Sequence, residues 1–122
     1  MNDQDRTVQA LKDQIQTFVS DRNWRQYHSP KNLSMAIASE AAELLDIFRW
    51  TTEKESEDLL DDPIKGKCIR DELSDVLIAL LTFAVHYNID VSSNFERKLQ
   101  EICEKYPVKK WRGRSGKYTE DL

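Results

Sequence analysis

Residues 40–48 read EAAELLDIF and residues 72–85 read ELSDVLIALLTFAV. In each stretch two acids stand three residues apart, Glu40 with Glu43 and Glu72 with Asp75, and apolar residues surround them. A helix places residues at that spacing on one face, about 5–6 Å apart at Cβ. The run Val76 to Val85, interrupted only by Thr82, is about half of the roughly 20 residues a membrane span requires. It therefore reads as a buried helix, and no membrane partner is expected.

Further helices are legible on either side. Val8, Leu11, Ile15 and Phe18 recur at steps of three and four, an amphipathic pattern from about Thr7 to Asn23. Ser29-Pro30 and Asp62-Pro63 each join a capping side chain to a proline suited to the first helical position, so helices are expected to start there. The first should run to about Trp50, apolar on more than one face and thus enclosed on several sides. The second should reach about Tyr87, with the acidic segment Glu53 to Leu60 between the two. Ser92 or Ser93 can cap a last helix, which Tyr106-Pro107 ends near Lys105. The expected fold is an all-α bundle of four to five helices in one domain, residues 1–122, with a basic, aperiodic tail over about 108–122.

Composition agrees. The chain has 122 residues with only 3 Gly and 3 Pro, 39% hydrophobic and 33% charged residues, and a net charge of −4. Such a chain has no overall field for a nucleic acid polymer, and a phosphate ligand would need a local remedy such as a divalent metal. Cys68 and Cys103 form no Cys-x-x-Cys motif and read as reduced, buried thiols. Met1 to Arg6 is polar and acidic rather than basic and then apolar, so no secretory signal is expected and a cytoplasmic location is.

A single acidic pair at i,i+3 is often only a solvated helix face. Two such pairs on two apolar helices carry more weight. Carboxylates persist in apolar surroundings when they meet cations, and bundle interiors are established places for such sites. All-oxygen ligands select a hard ion, Mg²⁺ or alternatively Mn²⁺, over zinc, and the lack of an adjacent His or Cys disfavours a di-iron arrangement.

Glu40-Ala-Ala-Glu43 followed by Glu72-Leu-Ser-Asp75 and Val76-Leu77-Ile78 resembles the signature of the MazG-like all-α nucleoside triphosphate pyrophosphohydrolases. Asn23-Trp24, Tyr27-His28-Ser29-Pro30-Lys31-Asn32-Leu33, Phe48-Arg49-Trp50, Lys105-Tyr106-Pro107 and Lys117-Tyr118 look like segments of the dCTP pyrophosphatase branch in the same order. The resemblance covers about Phe18 to Tyr118. It implies the MazG-like architecture, with a core completed by assembly into a dimer or tetramer. It also implies Mg²⁺-dependent hydrolysis of a small (deoxy)nucleoside triphosphate to its monophosphate and pyrophosphate, in the service of nucleotide-pool house-cleaning.

On this resemblance Glu40, Glu43, Glu72 and Asp75 hold the metal, and Glu40 also orients or deprotonates the attacking water. Trp24 and Trp50 enclose the base with His28 nearby. Lys31, Asn32, Lys98, Arg112 and Lys117 are the further candidates for substrate binding. Two positions depart from the branch: Ala79, where an aromatic commonly stands, and Ile102, where an Asn is common. A methyl in place of a ring widens the pocket, which admits a larger base such as adenine beside the favoured cytosine. Two other readings share some of these features. A non-catalytic helical oligomerisation or binding module would show no magnesium dependence. A pyrophosphohydrolase of phosphoribosyl-ATP would share the four acids but has no use for the two tryptophans.

Overall fold

The helix starts follow from side chains that satisfy otherwise orphaned backbone N–H groups. In the computed structural model, which describes residues 1–120, α1 (Val8–Asp21) is capped by Thr7, whose hydroxyl accepts from Ala10 N at 3.0 Å. α2 (Pro30–Phe48) is capped by Ser29, which accepts from Asn32 N at 3.1 Å, with Pro30 in the first turn. The short α3 (Glu53–Leu59) starts at Thr52, and α4 (Pro63–His86) starts at Asp62, whose Oδ1 accepts from Ile64 N at 2.9 Å and Lys65 N at 2.8 Å. A 3₁₀ turn, Arg25–Tyr27, joins α1 to α2. Among the described residues there is no strand, and no single helix is long and apolar enough to cross a membrane.

Contacts cluster into two compact units, Met1–Ile89 and the segment from Asp90 onward. In the first, α4 is the central element and packs chiefly on α2 and then on α1. Val19, Leu33, Ile69, Leu81 and Ala84 are buried there. Thr82 is also buried, and its hydroxyl is satisfied by donating to Ile78 O at 2.6 Å. The start of α4 lies tight against the end of α3. Gly66 is buried, and a Cβ there would stand 2.6 Å from the Leu60 carbonyl oxygen, so only glycine fits without movement.

The enclosure expected of α2 and α4 is not achieved within the chain: Leu45 is 61% exposed and Ile78 52%. Leu73 and Leu80, two turns apart on α4, are likewise exposed. The apolar character read from the sequence is real, but the packing of α1 and α2 on α4 leaves these side chains of the first unit exposed. Cys68 and Cys103 are exposed free thiols rather than buried ones. Small apolar character alone does not fix which side of a helix faces in.

In the second unit α5 (Val91–Lys105) is capped by Asp90 rather than by Ser92 or Ser93, with Asp90 Oδ2 accepting from Ser93 N at 3.0 Å. The expected tail contains a further helical turn, α6 (Val108–Trp111). Trp111 is buried edge-on against Tyr106 at 4.9 Å, and the Tyr106 hydroxyl accepts from Tyr118 N at 3.0 Å. Aromatic burial therefore orders a segment that has no periodicity to reveal it. Residues 121–122 of that tail lie outside the described residues.

Candidate active site

The two acidic pairs meet. α2 supplies Glu40 and Glu43, α4 supplies Glu72 and Asp75, and one oxygen from each lies within 4.8 Å of the others. Glu40 and Glu72 are half-buried, whereas Glu43 and Asp75 are exposed. Buried Oε2 atoms of both Glu40 and Glu72 have no hydrogen-bond partner. Three basic residues close to them in the sequence are engaged elsewhere: Arg70 donates to Gly66 O at 2.9 Å, Lys67 pairs with Asp71 at 2.6 Å, and Arg49 pairs with Asp46 at 3.1 Å. No described residue forms an ion pair with any of the four acids.

Uncompensated like charges favour the protonated form. The Glu40 carboxyl is held above its usual range by a shared hydrogen bond with Glu43, then by partial burial and by the charges of Glu43, Asp75 and Glu72. Glu72 is raised first by partial burial, then by its hydrogen bond with Glu43 and by the neighbouring acids. Orphaned oxygens, crowded charge and an all-oxygen donor set fit a hard divalent cation.

A carboxyl with a raised folded-state pKa binds protons more tightly than in the unfolded chain. The charge strain is then present above that pKa and is relieved as pH falls through it. Protons and metal compete for the same oxygens. The rise in Tm on adding Mg²⁺ is thus expected to be larger at about pH 8 than at about pH 5, where protons already quench the repulsion. Differential scanning calorimetry with and without chelator checks this, and an equal rise at both values contradicts it.

Next to Glu40 opens a cavity of about 660 Å³, lined mainly by apolar side chains that include Phe18, Trp24, Leu77 and Ala79. That volume lies within the range of small-molecule sites. Trp24 is 44% exposed and meets Phe18 edge-on at 5.5 Å, so indole surface remains available to a ligand. His28 also lines the cavity, and its Nδ1 lies 2.8 Å from His86 Nε2. Burial, then the Arg25 guanidinium, lowers the pKa of both histidines.

The other sequence candidates fall elsewhere. Trp50 does not line the cavity; it is 84% exposed, beneath Arg49 at 4.8 Å. The Asn32 side chain donates to Tyr27 O at 3.0 Å and pins the turn into α2. Lys31 is exposed and is not part of the lining. Lys98, Arg112 and Lys117 belong to the second unit, where Lys98 pairs with Glu101 at 3.1 Å. Sequence reasoning missed His86, whose partner is distant in the chain, and gave Phe18 only a packing role.

The MazG-like family model matches residues 35–121. The chain is 32% identical over 114 residues to dCTP pyrophosphatase 1 of Rattus norvegicus and of Homo sapiens, covering 93% of this chain and 67% of each relative. Its fold is similar to that of a pyrophosphatase from Archaeoglobus fulgidus, with a TM-score of 0.76 and 36% identity over 81% of this chain and 91% of that one. With its four carboxylates gathered as described and the match extending over well more than half its length, the chain belongs to the MazG-like family.

Proposed function

We propose that the protein is a Mg²⁺-dependent pyrophosphohydrolase of deoxynucleoside triphosphates that favours dCTP, accepts dATP through the space at Ala79, and serves nucleotide-pool house-cleaning in the cytoplasm. The observation that carries this reading is the acid cluster with two unpartnered buried oxygens beside an apolar cavity containing an indole. Relatives that act on dCTP by name support the substrate class.

Glu40, Glu43, Glu72 and Asp75 would hold Mg²⁺, with Mn²⁺ as the alternative. When bound, the ion supplies positive charge against the triphosphate and Lewis acidity at the scissile anhydride. Trp24 covers a face of the base, and Phe18, edge-on against the indole, holds it there and helps exclude water. Glu40, which belongs both to the acid cluster and to the cavity wall, orients a water molecule toward the α-phosphorus and takes its proton. The new oxygen–phosphorus bond forms as the bond from the α-phosphorus to the bridging oxygen breaks, and pyrophosphate leaves. A panel of dNTPs and NTPs incubated with Mg²⁺ should yield monophosphate and pyrophosphate from dCTP fastest. Release of orthophosphate, or full activity in chelator, would refute the reaction assignment.

The exposed Leu73 and Leu80 support assembly into a dimer or tetramer, since bundle helices bury such stripes against a partner. Light scattering at micromolar concentration is expected to give a dimer or larger, and Leu80→Glu should shift it toward monomer. A wild-type monomer under those conditions rules this out.

A further inference from the structure

The cavity beside Glu40 has few polar side chains in its wall, and most of them are already occupied. Ser74 donates to Arg70 O at 2.8 Å, Thr82 donates to Ile78 O at 2.6 Å, and His28 Nδ1 is within 2.8 Å of His86 Nε2. Glu40 belongs to the acid cluster. Gln14 differs: it lines the cavity, is exposed to solvent, and among the described residues its side-chain amide has no hydrogen-bond partner, so it is free to meet a ligand. It stands on α1 beside Ile15, between Leu11 and Phe18 on the same helix face, and all four line the same cavity.

A nucleobase in such a cavity needs its faces covered by apolar surface and its edge met by an adjacent donor and acceptor. A primary amide presents that pair side by side, which is why Gln can contact adenine through two bonds at once. We infer that Gln14 reads the hydrogen-bonding edge of the base, an inference that rests on reading the cavity as the base pocket. No neighbouring group fixes which way the amide points, and turning it over exchanges donor and acceptor. One orientation meets the N4 amino group and N3 of cytosine, and the other meets O4 and the N3 hydrogen of uracil. Gln14 thus anchors the pyrimidine edge without choosing between amino and keto bases. The substrate class widens accordingly to include dUTP, with dCTP ahead of it by less than about tenfold, as expected when no neutral hydrogen bond is lost outright.

The test compares kcat/KM for dCTP and dUTP at saturating Mg²⁺ in wild type, Gln14→Leu and Gln14→Glu. Leucine removes both contacts, so both substrates should fall about threefold to tenfold while their ratio stays near the wild-type value. A carboxylate can only accept, so Gln14→Glu keeps one bond, from the cytosine amino group or from the uracil N3 hydrogen, and repels cytosine N3 or uracil O4; both substrates should fall at least as far as in Gln14→Leu, again with little change in their ratio. Circular dichroism gives the folded fraction, against which each fall in kcat/KM is taken. An undiminished kcat/KM in folded Gln14→Leu, a loss confined to one of the two substrates, or a wild type that prefers dCTP by more than about a hundredfold overturns the role of Gln14 and leaves the hydrolase reading standing. A wild type that hydrolyses no dNTP overturns both.

Discussion

Glu72→Gln is expected to abolish turnover, by at least about a hundredfold, while the metal-free protein becomes more stable to heat. Both effects have one origin. The Glu72 side chain is half-buried, one of its oxygens has no partner, and its neighbours Glu43, Asp75 and Asp71 are all acids. Neutralising it relieves repulsion among the four acids and removes a charge that would hold a cation. Asp75→Asn and Glu43→Gln should lose activity in the same way, though with a smaller gain in Tm, because both side chains are more open to solvent. Kinetics at saturating Mg²⁺, circular dichroism and thermal melts in chelator separate the two effects. Near-normal rates in Glu72→Gln at low Mg²⁺ would remove the site assignment, and a fall in apo Tm would remove the electrostatic account.

Trp24→Ala carries the second large expected effect, a loss of roughly ten- to a hundredfold in kcat/KM, the value of one base–indole stacking contact. Mg²⁺ binding should be preserved, since Trp24 is not among the four acids. Trp50→Ala provides the contrast. With Trp50 outside the cavity wall and beneath Arg49, a smaller loss is expected. Measuring dCTP, dATP and CTP with both variants checks the assignment. Equal losses would mean that assembly brings Trp50 to the base, and an unaffected Trp24→Ala would mean that the cavity does not hold it.

Features with a local cause were readable from the sequence. Ser29-Pro30 and Asp62-Pro63 mark helix starts because a cap and its proline act within one turn. The i,i+3 acids predict their own shared face, and the four do meet. Other features depend on partners distant in the chain. Asp90 rather than Ser92 or Ser93 caps α5, a choice among adjacent capping residues that propensity does not separate. The order of the tail comes from Tyr106, Trp111 and Tyr118 finding one another, which no periodicity encodes. Trp24 and Trp50 look equivalent as aromatics bracketing α2, yet only Trp24 turns into the cavity.

Gly66 also sets the angular phase of the long helix that follows it. A helix advances by about 100° per residue, so fixing the rotation of its first turn fixes the direction in which every later side chain leaves the axis. The approach to the Leu60 carbonyl leaves no room for a methyl group, and so it holds that first turn in one orientation. Glu72 and Asp75 lie on the same rigid rod as Gly66. The corner between α3 and α4 therefore serves as the reference mark from which these acids are aimed at Glu40 and Glu43, although it touches none of them.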